Sequence, residues 1–183
     1  MEHQDKNAKF KLLKENMEFF KYMLENYKKE FIGEYINLLS TATNNYYTST
    51  MHAFIDFMFK NNIEGEVLGQ DFIEIKTDNN DETNGDRKEL LRPMTAICKL
   101  VEPYYVLKYM VTTYSDRIAN LGRDTLQKNI YDLKIYHKSL KDKDDKNGLG
   151  EIINQLENML LKYKLNNNLP TKTNPNEDKV LKI

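Results

Sequence analysis

The chain holds one cysteine, no tryptophan, four prolines and seven glycines in 183 residues, and its charges almost cancel. Each scarcity removes a class of protein. A single thiol, Cys98, builds neither an intramolecular disulfide framework nor a Cys-rich zinc module. Turn residues this sparse leave an all-β sandwich without the turn chemistry it needs about every 8–12 residues. The 27 Lys and Arg against 28 Asp and Glu give a formal net charge of −1, without the basic excess of a dedicated DNA or membrane-surface binder. No stretch approaches the roughly 18 consecutive apolar residues of a membrane span. The start, Met1 to Lys6, is polar with no apolar run before Phe10, so no secretory signal is expected. These absences lead to the expectation of a cytoplasmic protein with no membrane association and one domain of ordinary size.

Familiar catalytic signatures are missing as well. There is no Gly-rich phosphate loop ending in Lys-Ser/Thr, no His-Glu-x-x-His, no Cys-x-x-Cys and no nucleophile elbow. With three His and one Cys, a closed tetrahedral zinc site would need carboxylates drawn from several places. No cofactor, no metal and no catalytic residue are therefore expected.

What is present is helical periodicity. Phe10, Leu13, Met17, Phe20, Leu24, Tyr27, Phe31, Tyr35 and Leu38 recur at three- or four-residue steps, predicting one long N-terminal helix over residues 6–39. Its opposite face carries Lys11, Lys14, Glu15, Glu18, Lys21 and Glu25. A stripe that long suggests bundle packing or a seam between two copies of the chain. Ser40 to Thr43 predicts a turn or kink, followed by a helix over 43–61 with Met51, Phe54, Ile55, Met58 and Phe59 inward. Gly65 and Gly69 interrupt the pattern, Phe72 to Ile75 reads as a short extended segment, and 77–86 reads as a mobile acidic loop. Leu90, Met94, Ile97 and Val101 restart the helical period, with Pro93 and Pro103 as helix starts or kinks. Further stripes follow: Leu107 to Leu121, then Leu126 to Leu140, and, after a charged turn over 141–148, Leu149 to Tyr163. The tail over 166–183 is expected to be disordered. The fold class read from this pattern is all-α: a bundle of five or six helices in a single domain over 1–165, with an irregular loop excursion.

Three groups of residues are candidates for function. His52 and Asp56 lie one helical turn apart in an apolar run, a spacing at which a carboxylate orients an imidazole for acid–base work in a pocket. The same spacing also suits two polar groups that satisfy each other at the edge of a core. The second group centres on Arg117, Asn120 and Arg123. Arg is scarce here, with Arg87, Arg92, Arg117 and Arg123 the full set, and a scarce Arg marks bidentate pairing with carboxylate or phosphate. The third is Lys128, Lys134 and Lys138, interleaved with Tyr131, Tyr136 and His137. In such a pattern phenol rings can stack on bases while ammonium groups track phosphates, although Asp124 and Asp132 accompany them. The methionines fall on or beside the apolar stripes, which fits core filler or an adaptable docking surface.

The stretch Tyr114-Ser115-Asp116-Arg117-Ile118-Ala119-Asn120-Leu121-Gly122 resembles part of the HEPN-type helical domains of defence and toxin systems. In that family a helical Arg and His cleave RNA, often within a Tyr-Arg-Asp-x-Ile-Ala-His pattern. Tyr114, Asp116, Ile118 and Ala119 fit it, whereas Ser115 stands at the Arg position and Asn120 at the His position. The resemblance implies a degenerate, non-cleaving relative that binds RNA or a partner. The residues alone favour a non-catalytic helical module that binds another protein through helix faces, or pairs with itself along the first helix. An RNA-binding or degenerate RNA-processing domain is the alternative.

Overall fold

The computed structural model describes residues 2–44, 48–77, 87–100 and 104–168. These form helices α1 (Glu2–Asn26), α2 (Lys28–Asn44), α3 (Thr48–Lys60) and α4 (Glu64–Leu68), strands β1 (Ile73–Thr77) and β2 (Arg87–Leu91), and helices α5 (Pro93–Leu100), α6 (Tyr105–Thr113), α7 (Ser115–Ala119), α8 (Arg123–Ser139) and α9 (Lys143–Asn168). The protein is all-α apart from one antiparallel β-pair. No helix among the described residues is long and apolar enough to cross a membrane.

The N-terminal stripe is real, but it is shared between two helices. The chain kinks at Tyr27, whose N–H still donates to the Met23 carbonyl at 2.7 Å and whose carbonyl accepts from the Phe31 N–H at 2.9 Å. Beside it, the Asn26 side-chain amide takes the Tyr22 carbonyl at 2.9 Å, a local bond that competes with the helical ladder. In a straight helix, positions eleven residues apart would lie about 16 Å apart along the axis. Here the Phe20 ring sits 5.4 Å from Phe31, 5.9 Å from Tyr35 and 5.0 Å from Phe54. Folding α1 back over α2 therefore buries Phe20, Phe31 and Tyr35 of this stripe against one another within the chain, and the expected single helix is two.

Other boundaries move for identifiable reasons. The turn expected at Ser40 is absent, and α2 continues through it to Asn44. Leu90 and Leu91, expected to open a helix, lie in β2, which pairs with β1 in the register Ile73↔Leu91, Ile75↔Glu89 and Thr77↔Arg87. This pairing buries Ile73 and Ile75 and leaves Leu90 exposed. Pro93 then opens α5, where its missing N–H costs nothing. The charged run after Leu140 is mostly helix rather than turn. Asp142 Oδ1 accepts the N–H groups of Asp144 and Asp145, each at 3.0 Å, and so caps the first turn of α9. That helix extends to Asn168, past the boundary expected at 166. The expected acidic loop, beyond Thr77, and the expected tail, beyond Asn168, lie outside the described residues.

One contiguous core joins every element from α1 to α9. Met51, Met58, Met94 and Met110 are buried, and Met17, Met23 and Met159 pack against the buried cluster, so methionine fills the irregular gaps between helices. Close approach of α9 to its neighbours uses glycine. A Cβ on Gly148 would lie 2.7 Å from the Tyr104 ring, and one on Gly150 would lie 3.2 Å from His137 Nε2.

A buried amide locks the centre. Asn129, 2% exposed, accepts the Met94 N–H at 3.1 Å and donates to the carbonyls of Leu68 at 3.2 Å and Thr125 at 2.9 Å. It thereby caps the start of α5 and the end of α4 from α8. Asn129→Ala leaves both ends unsatisfied in the core and is expected to lower the unfolding free energy by about 2–4 kcal/mol. Urea denaturation measures this, and a loss below about 1 kcal/mol would contradict the assignment.

Candidate functional site

His52 and Asp56 do share one face of α3, but they are not bonded to each other. Asp56 Oδ1 accepts the hydroxyls of Tyr109 at 2.7 Å and Tyr114 at 2.5 Å. The His52 imidazole lies flat on the Tyr109 ring, with centroids 3.8 Å apart and planes 8° apart. Tyr114 in turn stacks on Phe59 at 3.9 Å. The helical spacing placed the two residues correctly, and a third residue from α6 slid between their functions. Both phenol hydroxyls are thus spent on one carboxylate oxygen, which ties α3 to the α6–α7 junction. The cluster is a polar clasp between α3 and the α6–α7 junction, not an acid–base pair.

The clasp has a pH signature. Burial, followed by the hydrogen bond and charge of Asp56, pushes the Tyr109 phenol up to about 12. The same causes push Tyr114 up as well. Both groups hold their protons more tightly folded than unfolded, where tyrosine titrates near about 10. Their contribution to stability is thus complete below pH about 10 and is lost as the pH rises through about 12.

Arg117 is also consumed by structure. Its Nε donates to Glu64 Oε1 at 2.8 Å, and Nη2 reaches the Phe59 carbonyl at 3.2 Å and Asn62 Oδ1 at 2.7 Å, as well as the same Glu64 oxygen. Asn62 adopts the left-handed region, φ 55°, where the chain turns from α3 into α4. The scarce Arg thus pairs with a carboxylate inside the molecule, through two nitrogens on one oxygen rather than bidentately, and Glu64 Oε2 is buried with no hydrogen-bond partner among the described residues. Asn120 closes α7 and Arg123 opens α8, both exposed. Ser115 and Asn120, the two departures from the HEPN pattern, stand exposed at opposite ends of α7.

The basic face is largely neutralised. Lys128 pairs with Asp124 at 3.1 Å and lies 3.7 Å from Asp71, while Lys134 is ion-paired with Glu157 across α8 and α9. Lys138 is exposed, with no ion pair to any described residue. Cys98 is fully enclosed, and burial pushes its thiol up, away from the thiolate needed for reactivity. Among the described residues, no group of three or more His, Cys, Asp or Glu is placed to hold a metal ion.

A feature missed in the sequence lies beside Lys134. The antiparallel helices α8 and α9 enclose a groove of about 450 Å³ whose lining includes Ile130, Tyr131, Leu160 and Leu161, with Gln127 and Lys164 at its margin. Tyr131 is 69% exposed, Leu161 50% and Leu165 54%. These residues stand off the core stripes. Leu161 and Leu165 stand at i,i+4 beside the inward positions of α9, and Tyr131 stands beside those of α8. No family model, no curated protein and no solved structure matches the chain.

Two measurements check these assignments. Arg117→Met should cost about 1–3 kcal/mol in urea unfolding by stranding Glu64, while Arg123→Met should stay within about 0.5 kcal/mol; equal effects would contradict the clamp. Thermal unfolding from about pH 8 to about pH 12 should fall less steeply in a Tyr109→Phe/Tyr114→Phe variant than in the wild type. Parallel curves would show that the clasp does not titrate.

Proposed function

We propose that the protein is a non-catalytic interaction module that docks an amphipathic helix of a partner protein in the groove between α8 and α9. The observation carrying this reading is the exposed pair Tyr131 and Leu161 lining that groove, with exposed Leu165 one turn beyond Leu161. Two packed helices leave a valley that a third helix fills with apolar residues at three- and four-residue spacing. The polar margin has one ion pair, Lys134 with Glu157, and the further cation Lys164, an arrangement suited to a rim around an apolar centre. Tyrosine adds a large, stiff contact surface at low entropic cost.

The charge pattern supports a protein over RNA. A strand-tracking surface needs cations free to meet phosphates, and Lys128, Lys134 and Arg117 are each engaged with carboxylates. Single-stranded RNA at the α7–α8 junction is the competing reading, and it rests on exposed Asn120 and Arg123. Self-association remains within the proposal where the docked helix belongs to a second copy. Phe19, Tyr22 and Tyr27 give α1 and its kink an exposed aromatic row of their own.

A photo-crosslinking amino acid at position 161 tests this in cells. The expected result is an adduct to one identifiable protein, lost in Tyr131→Glu, which lies on the surface and keeps the helical circular dichroism. Absence of any adduct, an adduct indifferent to Tyr131→Glu, or an adduct to RNA would overturn the reading.

A further inference from the structure

The β-pair has two edges, and α2 reaches one of them. Along β1, the Glu74 carbonyl points away from β2 and accepts the Asn37 side-chain amide of α2 at 3.3 Å. In an antiparallel pair, a residue that turns its backbone groups outward stands opposite another that does the same. Glu74 stands opposite Leu90. The N–H and C=O of Leu90 therefore point away from β1, and by alternation those of Lys88 do too. The next donor in that row, the Arg92 N–H, is met by Asp132 Oδ2 of α8 at 3.1 Å. Beyond it, no third strand pairs with β2 among the described residues, and no hydrogen bond from them reaches the outward groups of Lys88 and Leu90.

Edges of this kind are ordinarily blunted by charge, a bulge or a covering element. Here the Lys88 ammonium turns back across the pair to Glu74 at 3.0 Å, and Leu90 is 62% exposed. Beside the edge, between β2, α5 and α8, lies a cavity of about 230 Å³ with Leu91, Ile135 and Tyr136 in its wall. At its margin, Lys99 Nζ donates to both oxygens of Glu89, at 2.7 and 2.8 Å, so these charges are already matched. Leu91 and Glu89 pair with Ile73 and Ile75 and share their face of the sheet. A strand laid along the free edge would stand about 4.8 Å from β2 and turn every second side chain toward that face.

We infer that β2 accepts an extended peptide of another protein as a third strand, paired through Lys88 and Leu90, with an aliphatic side chain seated beside Leu91, Ile135 and Tyr136. Extended backbone supplies donors and acceptors at the alternation these two residues present, and a side-chain pocket adds selectivity. The cavity falls below the roughly 300–1,000 Å³ of drug-sized sites and suits a single side chain. A second copy of β2 is a poor occupant. Pairing across a two-fold axis sets Lys88 against Lys88, Glu89 against Glu89 or Lys88 against Arg92, according to register, and like charges directly opposite are destabilising. The edge shares no lining residue with the α8–α9 groove, so it stands whether or not a helix docks there.

NMR titration of the whole isotope-labelled protein with the acetylated, amidated peptide Ser-Thr-Leu-Thr-Val-Ser tests this. Saturable binding at millimolar concentration is expected, with shifts centred on the Lys88 and Leu90 amides. Two control peptides carry N-methyl groups on one alternate set of backbone amides or on the other. A strand paired along one edge loses at least about tenfold in affinity with one set and not with the other. Leu90→Pro removes an outward donor at a position where an edge strand tolerates proline, and should weaken binding by at least about tenfold. Ile135→Glu, on the exposed side of α8, leaves the strand untouched and should lower affinity roughly tenfold by placing a charge in the cavity. Absence of saturable shifts at Lys88 and Leu90, equal effects of the two methylated sets, or affinity unchanged in Ile135→Glu would each overturn the inference.

Discussion

A helix leaves backbone donors unmet at its start and acceptors unmet at its end, and this chain has few glycines with which to close them locally. The starts of α4, α6, α7 and α8 carry no side-chain cap. Closure instead comes from afar. Arg117 takes the last-turn carbonyl of α3, Asn129 the last carbonyl of α4, and the Tyr163 hydroxyl the last carbonyl of α7. Asp132 and Asn129 together meet the donors at the start of α5. Each of these side chains leaves the surface inventory and becomes part of the frame. The shortage of turn residues and the abundance of polar side chains in the interior helix junctions are thus two sides of one constraint.

That constraint bears directly on function. Residue types that suggest chemistry in sequence, such as a scarce arginine or a His and Asp one turn apart, are absorbed into junctions. The Asp56 clasp joins three helices through Tyr109 and Tyr114, and the Glu64–Arg117 pair fixes a corner. Once these are accounted for, the α8–α9 surface retains exposed apolar side chains, Tyr131 and Leu161 along the groove and Leu165 one turn beyond Leu161.

The helical class was legible because inward positions repeat at three or four residues, from Phe20 to Leu156. Its interruptions were less so. The kink at Tyr27 depends on Phe20 finding Phe31, Tyr35 and Phe54, a contact invisible to a local window. Leu90 and Leu91 carry apolar character that suits helix or strand, and the partner that decides, β1, lies well before them in the chain. The candidate site fared similarly. Arg117 and Asp56 were singled out by composition and spacing, which report that a polar group needs partners but not which ones. The exposed row on α8 and α9 was obscured because its members neighbour core residues and read as a widening of the same stripe.

The long-range closures also bear on how the chain acquires its shape. The partners of Arg117 and Glu64 are 53 residues apart in sequence, Asn129 and Leu68 are 61 apart, and Tyr163 and Ala119 are 44 apart. Loops of that length carry a closure entropy that must be met before the contact returns anything. During synthesis from the N-terminus, the corner between α3 and α4 has no arginine to hold it until α7 has emerged, and the end of α4 waits longer still for α8. Early helices therefore exist for a time with frayed ends, and their final lengths are set by residues translated after them.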